Sequence, residues 1–221
     1  MTDVRPPAPY ALVVLDFDGT LADSFPWFCS VINGVADRYG FRRIAEEEVE
    51  SLRALGAREI VARLGVPLWK LPAISRHMHA LASRDIDAMR LFPGVPEALT
   101  ALARREVRLA VLSSNTEANV RRVLGPDLAA LVEAYACGAS LFGKARRLSA
   151  LIRRCGVAPE GVLSVGDEIR DAEAARGAGC AFAAVAWGYT RADALRESGP
   201  DHLFAEPGEI ARLLAGAPVA A

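Results

Sequence analysis

Short apolar segments alternate along this chain with longer segments in which apolar residues recur at helical spacing. Residues 10–15 form the first apolar segment, and its length and β-branched content are typical of a buried strand. Further segments of this kind lie at 107–112, around 135–137, and at 162–165, 181–186 and 202–204. Because strands that alternate with helices usually pair in parallel, the pattern predicts an α/β fold with a parallel sheet flanked by helices.

Capping and turn residues mark three helices between these strands. A helix over 116–124 begins at Ser, Asn and Thr capping residues and stops at Gly125 and Pro126. A basic helix is predicted over 144–155, and a further helix over 171–176. Glycines follow both of these helices, as is common at helix C-termini.

The interval 24–90 has helical periodicity and carries no strand signal. Trp27, Val31, Val35 and Tyr39 recur every four residues, which is the spacing of one helix face. Residues 91–96 contain Pro and Gly and are typical of a linker. We therefore predict an all-helical insertion at 24–90, a core made of 10–23 and 91–221, and a disordered, proline-rich lead-in at 1–9.

Charge and composition narrow the class of protein. The 221 residues include 26 basic and 27 acidic side chains, so the chain lacks the excess of positive charge that is typical of nucleic-acid-binding proteins. No apolar run approaches the roughly 18 residues of a membrane span, and the N-terminal stretch lacks the apolar core of a signal peptide. Four cysteines without a CxxC pair favour a reduced, cytoplasmic protein. We expect neither a nucleic-acid nor a membrane partner.

Polar residues follow the predicted strands or begin the helices after them. They are Asp16 and Asp18, then Ser113, Ser114 and Asn115, then Lys144, and finally Asp167 and Asp171. The carboxyl ends of parallel strands meet at one edge of a sheet, so these groups are expected to converge. Carboxylates this close cannot all stay ionised without cations. Lys144 supplies one positive charge, and Mg²⁺, which prefers carboxylate oxygen, water and phosphate, is the expected second partner.

Such an edge can receive a phosphoryl group. A carboxylate screened by a metal and a lysine can attack phosphorus and form an aspartyl-phosphate intermediate. A second acid two residues later can protonate the leaving oxygen and afterwards deprotonate the attacking water. Gly19 permits the tight turn that brings Asp16 and Asp18 to the site.

With these features in chain order, the sequence resembles the haloacid dehalogenase-like superfamily of phosphohydrolases. Within it, the chain is similar to phosphoglycolate-phosphatase-type members that carry a helical cap. The resemblance runs from Leu12 to Phe204, and its most specific part is the motif from Asp16 to Ser24. It implies a Rossmann-like core with the insertion 24–90 as a cap over the site. It also implies a Mg²⁺-dependent phosphatase acting on a small-metabolite phosphate monoester of the phosphoglycolate type.

The resemblance further implies a role for each candidate residue. Asp16 would be the nucleophile, Asp18 the general acid and base, and Lys144 the cation that orients Asp16 and neutralises phosphate. Mg²⁺ would be held by Asp16, the backbone carbonyl of Asp18 and Asp167, with Asp171 acting through water or Lys144. The residues assigned to phosphate binding are Ser113, Ser114, Asn115, Gly19, Thr20 and Lys144. Ser113 is favoured over Ser114 because it directly follows the strand.

Four other residues have plainer expected roles. Arg53 and Arg58 in the insertion are expected to be surface arginines, with contact to an anionic substrate tail as the alternative. Glu168 is expected to point away from the metal or to support its loop. Trp187 is expected to pack in the protein and not to bind a ligand.

Two alternative functions stay open on these residues. A phosphomutase of the same fold would use Asp16 and Asp18 but keep its intermediate away from water. A non-catalytic phospho-binding domain also gathers aspartates, a hydroxyl and a lysine at a sheet edge. The oligomeric state, monomer or homodimer, is open as well.

Overall fold

The computed structural model describes residues 10–138 and 143–214, so the predicted lead-in at 1–9 lies outside the described residues. The described residues form one sheet of six strands, all parallel, in the order β3-β2-β1-β4-β5-β6. The strands are β1 (Leu12–Leu15), β2 (Arg108–Leu112), β3 (Val132–Ala136), β4 (Val162–Gly166), β5 (Ala181–Val185) and β6 (His202–Phe204). The predicted α/β class is confirmed, and the strand order is that of a Rossmann-like sheet.

Helices cover both faces of the sheet and fill the interval between β1 and β2. The part of that interval predicted as the insertion contains α1 (Phe25–Tyr39), α2 (Val49–Leu52), α3 (Ala57–Arg63) and α4 (Leu71–Arg84). The later helices are α5 (Val95–Ala103), α6 (Glu117–Leu131), α7 (Lys144–Cys155), α8 (Ile169–Ala178), α9 (Ala192–Glu197) and α10 (Gly208–Leu213). Within the described residues, no helix combines the length and the apolarity that a membrane crossing requires.

The two faces of the sheet pack against different helices. Val13 and Leu15 of β1 belong to an apolar core with residues of α5, α6 and α10. Leu12 and Val14 belong to a second core with residues of α7, α8 and α9. Because a parallel sheet is covered on both sides, every residue of β1 is buried, and each such side chain stabilises the fold by about 1.5–3 kcal/mol.

β1 lies at the point where the strand order reverses, and this position determines where the site forms. Leu15 of β1 pairs with Val111 of β2 on one side and with Val165 of β4 on the other. The residues that follow these three strands therefore emerge at the same edge. In open α/β sheets, ligands bind in the crevice at this reversal point.

The helical insert enters and leaves the core along two adjacent segments. The Asp23 N–H donates to Arg90 O at 2.8 Å, and the Phe92 N–H donates to Leu21 O at 2.9 Å. An antiparallel bridge joins the same two segments. The insert is helical, as its periodicity predicts, while its division from the core at residues 24 and 90 stays a prediction.

The linker predicted at 91–96 is shorter than expected, because helix α5 begins at Val95. Gly94 precedes the helix with a φ of 89°, and Pro96 lies in its first turn. Proline is tolerated there since the first N–H groups of a helix have no partner within it. Proline at this position is thus a helix-start signal, and its interpretation as part of a linker is wrong.

The helix predicted to stop at Gly125 and Pro126 is interrupted there but continues. Gly125 has φ 72° and ψ 168°, which is not helical, and a second helical segment then runs to Leu131. Proline with its fixed φ is favoured at the first position of a helix, which explains the restart at Pro126. The Thr116 cap is present, since its side chain accepts a hydrogen bond from the Asn119 N–H at 3.2 Å.

Candidate active site

Three buried carboxylates meet at the edge of the sheet where β1 and β4 end. Asp16 follows β1, Asp167 follows β4, and Asp171 lies in the first turn of α8. One carboxylate oxygen from each lies within 4.8 Å of the others, and the residues are 5%, 0% and 2% exposed. We refer to Asp16, Asp167 and Asp171 as the carboxylate cluster. The structure thus brings together three of the acids that the sequence singles out.

Lys144 lies between two members of the carboxylate cluster. Its Nζ is 2.6 Å from Asp16 Oδ2 and 2.5 Å from Asp171 Oδ1. Burial alone would lower the pKa of Lys144, but the charges of Asp16 and Asp171 outweigh burial and raise the pKa, so the ammonium stays charged. Lys144 is the first residue of α7, where the helix dipole disfavours a cation. The two carboxylates, and not the helix, account for a lysine at this position.

The carboxylate cluster carries more negative charge than Lys144 can balance. Burial, partly offset by Lys144, raises the pKa of Asp16 to about 6. Burial and the charges of Glu168 and Asp16 raise the pKa of Asp167 well above its ordinary value. The ionised forms are therefore unfavourable unless a cation is present in addition to Lys144 and the neighbouring Arg170. Three oxygen donors at this separation fit a hard divalent cation such as Mg²⁺.

Asp167 is held in one orientation by close packing and two hydrogen bonds. Thr20 Oγ1 donates to its Oδ1 at 2.7 Å, and the Tyr189 N–H donates to its Oδ2 at 2.8 Å. A Cβ atom added at Gly19 would lie 2.1 Å from Asp167 Oδ2, and one added at Gly188 would lie 2.2 Å from Asp167 Cβ. Gly19 also has a φ of 77°, which favours glycine. These two glycines leave the space that the carboxylate occupies.

Asp18 lies outside the carboxylate cluster and contacts polar groups that follow β2. Asn115 Nδ2 donates to its two carboxylate oxygens at 3.3 and 3.4 Å. The orientation of the Asn115 amide is defined, because its Oδ1 accepts from the Thr116 N–H and from Asn119 Nδ2, both at 2.9 Å. Burial raises the pKa of Asp18, although hydrogen bonds from Ser24 and Asn115 act in the opposite direction. A carboxyl with a raised pKa is suited to carrying a proton.

Ser113 and Ser114 also follow β2 at this edge. Ser113 is fully buried, and its Oγ accepts a hydrogen bond from the Asn115 N–H at 2.9 Å. A hydroxyl that accepts in this way keeps its own proton for donation to a ligand. Ser114 is half-buried. Ser113 is therefore the serine tied to the polar network around Asp18.

The hydrogen-bond donors of Gly19 and Thr20 bind acceptors within the protein. The Gly19 N–H donates to Ala22 O at 2.9 Å, and the Thr20 N–H donates to Phe17 O at 3.3 Å. The Thr20 hydroxyl donates to Asp167. As placed, these groups close the turn after β1 and orient Asp167, and the phosphate-binding role predicted for Gly19 and Thr20 stays a prediction without support from these contacts.

Sequence reasoning missed Arg170, which lies beside the carboxylate cluster. Its side chain is 16% exposed, and its Nη2 donates to Glu168 Oε1 at 2.5 Å. The charge of Arg170 acts to lower the pKa of Asp16, after the larger effects of burial and Lys144. The ion pair agrees with the expected role of Glu168 in supporting its loop. The available signal was the position of Arg170 immediately before Asp171 in the motif.

Arg53 and Trp187 connect other parts of the fold to the site. Arg53 donates from Nε to Tyr189 O at 2.8 Å and from Nη2 to Gly188 O at 2.9 Å. The prediction of a surface arginine is wrong for Arg53, because the guanidinium fork binds two adjacent carbonyl groups of the core. Trp187 packs at the edge of the apolar core, as expected, and its Nε1 donates to Thr20 O at 3.1 Å.

A cavity of about 230 Å³ lies between the insert and the core. Gly56 and Arg58 line it from the insert, and Lys144 and Arg170 line it from the core. It is smaller than the roughly 300–1,000 Å³ of pockets for drug-sized ligands. A larger groove of about 620 Å³ on the insert, between α1 and α4, is lined by none of these residues. The lining of the smaller cavity has three basic side chains, Arg58, Lys144 and Arg170, against one acid, Glu173, and this excess of positive charge suits a small anion.

Comparisons with known proteins identify the family. The chain matches the model of the haloacid dehalogenase-like hydrolases over residues 13–185. It is 35% identical to the phosphoglycolate phosphatase of Synechococcus elongatus over 199 residues, which cover 90% of this chain and 94% of that protein. The solved structure of a predicted phosphoglycolate phosphatase from Haemophilus somnus is similar, with a TM-score of 0.72, 24% identity and coverage of 93% of this chain and 98% of that one. A provisionally named β-phosphoglucomutase from Thermotoga maritima shares the fold at a TM-score of 0.65, with 24% identity and the same two coverages, 93% and 98%. The chain therefore belongs to the haloacid dehalogenase-like hydrolase family, in its phosphoglycolate-phosphatase-like branch, whose members hydrolyse phosphate monoesters.

Proposed function

We propose that this protein is a Mg²⁺-dependent phosphatase whose substrate is a small phosphate monoester with a second negative charge, such as phosphoglycolate. The observation that carries the proposal is the contact of Asp16 with Lys144 within a cluster of buried carboxylates. The relative from Synechococcus elongatus, named a phosphoglycolate phosphatase, supports the substrate class. The small cavity beside Lys144, in which basic side chains outnumber the one acid Glu173, is consistent with a small anionic substrate.

The carboxylate cluster would hold the metal. Asp16, Asp167 and Asp171 offer oxygen donors. The raised pKa values of Asp16 and Asp167 mean that a cation at this point would stabilise their ionised forms. When bound, Mg²⁺ supplies positive charge to the phosphoryl oxygens. Asp18 would contribute only its backbone carbonyl, because its carboxylate contacts Asn115 instead.

Asp16 would act as the nucleophile. Its Oδ1 accepts from the Phe17 N–H at 2.8 Å and its Oδ2 from Lys144 Nζ at 2.6 Å, so the carboxylate is fixed in orientation. A pKa of about 6 leaves most of it ionised at neutral pH. In the first step an Asp16 oxygen bonds to phosphorus while the ester P–O bond breaks.

Asp18 would transfer the protons of both steps. Its raised pKa allows it to give a proton to the departing alkoxide oxygen. It then takes a proton from the water that attacks phosphorus, which releases inorganic phosphate and restores the Asp16 carboxylate. Ser113 would donate its hydroxyl to the phosphoryl group. The insert 24–90 would serve as a cap, since Gly56 and Arg58 face Lys144 across the cavity.

The proposal is tested by measuring phosphate release from a panel of small phosphate esters, with Mg²⁺ and with a chelator. We expect Mg²⁺-dependent release that is lost by about 10³-fold or more in Asp16→Asn, which removes the nucleophile without changing the size of the side chain. Asp23→Asn is the matched control, because Asp23 is exposed and outside the cluster. An active Asp16→Asn protein would refute the proposal. Conversion of a sugar phosphate to its isomer without phosphate release would identify a phosphomutase instead.

A further inference from the structure

We propose that Arg53 of the helical insert is a positioning residue that orients Asp167 for metal binding through two peptide units of the loop 187–191. The proposal rests on the proposed function in one respect, namely that Asp167 is a metal ligand. Arg53 directly follows α2 in the insert, whereas Asp167 follows β4 in the core. We call residues 187–191 the relay loop.

On its outer side, the relay loop is bound by Arg53. The guanidinium donates two hydrogen bonds to adjacent carbonyls, from Nε to Tyr189 O at 2.8 Å and from Nη2 to Gly188 O at 2.9 Å. The Arg191 N–H returns a hydrogen bond to Arg53 O at 2.9 Å. Arg53 is 25% exposed, so this contact is largely shielded from water.

On its inner side, the relay loop binds Asp167. The Tyr189 N–H donates to the carboxylate Oδ2 at 2.8 Å. The Thr190 N–H donates to the backbone carbonyl of Asp167 at 3.3 Å. The loop thus contacts both the side chain and the main chain of this residue.

The outer and inner hydrogen bonds belong to the same peptide units. The Gly188 carbonyl that accepts from Arg53 and the Tyr189 N–H that donates to Asp167 form one planar amide group. The Tyr189 carbonyl and the Thr190 N–H form the next. In a trans amide these two groups point in opposite directions, and a hydrogen bond to the carbonyl polarises the N–H on the other side. The guanidinium of Arg53, whose Nη1 also pairs with Glu50 Oε1 at 2.8 Å, therefore strengthens through its two carbonyl contacts the bonds that hold Asp167.

Close packing makes the position of the relay loop decisive for Asp167. A Cβ atom at Gly188 would lie 2.2 Å from Asp167 Cβ, so the loop and the aspartate cannot shift independently by much. A second element of the insert packs on the same loop, since the Tyr189 ring lies 5.0 Å from the ring of Phe25 and 5.7 Å from that of Phe28. Packing of the insert against the core and orientation of Asp167 are therefore coupled, and by linkage metal binding favours the packed insert.

The experiment is a calorimetric titration of the metal-free full chain with Mg²⁺, in the absence of substrate. Arg53→Gln removes the positive charge and the paired donors Nε and Nη2 of the guanidinium. We expect Mg²⁺ binding to weaken by about tenfold or more, which is the usual effect of losing a group that orients a metal-binding side chain. Arg53→Lys keeps the charge without the fork and should weaken binding severalfold. Arg63→Gln is the matched control, because Arg63 is an exposed arginine of the neighbouring helix α3, and it should bind as the wild type does.

Each outcome decides between positioning and simple packing. If Arg53 only attaches the insert to the core, its variants will melt at lower temperature but bind Mg²⁺ with unchanged affinity, and that result overturns the proposal while phosphatase activity still stands. If the wild type itself binds no Mg²⁺, the metal of the proposed function is refuted together with this inference. Circular dichroism establishes that each variant is folded, and Arg53→Lys decides the question if Arg53→Gln is not.

Discussion

The substitution Lys144→Met removes the ammonium group that lies between Asp16 and Asp171. Its Nζ is 2.6 and 2.5 Å from their carboxylates, and the three side chains are 9%, 5% and 2% exposed. Methionine retains the unbranched apolar stem but leaves two buried carboxylates without their cation. Removing one partner of a buried ion pair typically costs about 3–5 kcal/mol. We expect a loss of this size in the free energy of unfolding at neutral pH in the presence of a chelator.

The loss should depend on pH in a direction that the pKa of Asp16 determines. Burial raises this pKa from 3.8 to about 6 even with Lys144 present, and without the ammonium it rises further. A folded-state pKa above the unfolded value means that the folded protein binds the proton more tightly, so this contribution is present at low pH and is lost as the pH rises through the folded pKa. Lys144→Met should therefore lose the most stability at about pH 7.5 and clearly less at about pH 5, where Asp16 is protonated.

The assay is urea unfolding in chelator at the two pH values. With a slope of about 3 kcal/mol per M, the upper end of the usual range and suited to a chain of this length, the midpoint should fall by about 1–2 M at the higher pH. Lys70→Met is the matched control, because Lys70 donates to the neutral carbonyl of Tyr39 at 2.7 Å, and its loss of about 1–2 kcal/mol should not change with pH. A loss below about 1 kcal/mol in Lys144→Met, or an equal loss at both pH values, would refute the electrostatic account.

Further substitutions address the surroundings of Asp167. Gly188→Ala places a Cβ atom 2.2 Å from Asp167 Cβ and should weaken Mg²⁺ binding in calorimetry by about tenfold or more, whereas Gly34→Ala, with open space around it, should leave binding unchanged. Thr20→Val removes the hydroxyl that donates to Asp167 and should lower kcat/KM by about tenfold, and a Thr20→Ser variant as slow as Thr20→Val would contradict this role. Tyr189→Phe removes only a side-chain hydroxyl and should bind Mg²⁺ normally, because the peptide units of the relay loop persist.

The sheet and the meeting of acids at its edge were predictable because both follow from local patterns. The apolar run before Asp16 and the one before Asp167 are strand signals, and parallel strands place their carboxyl ends together. The same logic brings Ser113 to this edge. Helix ends were less predictable, as at Val95 and Gly125, because proline signals either an interruption or a new helix start.

The contacts that orient Asp167 were not predictable from the sequence. Arg53 binds backbone carbonyls, and a carbonyl acceptor has no residue type by which a pattern could reveal it. A threonine hydroxyl can donate a hydrogen bond either to a ligand or to a neighbouring carboxylate. Only the folded turn shows that the Thr20 hydroxyl donates to Asp167. Arg170 was missed for another reason: charged residues are most often solvated, and its position immediately before Asp171 was the one signal of a role at the site.

The relay loop has a consequence for how this family member can change over generations. The hydrogen bonds to Asp167 come from the backbone N–H groups of Tyr189 and Thr190, so they do not depend on the side chains at these positions. Substitutions there that keep the backbone path leave the connection to Asp167 in place. The hydrogen-bonded link itself depends on two side-chain positions, the guanidinium of Arg53 and the missing Cβ of Gly188. The insert can therefore diverge toward new substrates over most of its surface while Arg53 and Gly188 preserve its connection to Asp167.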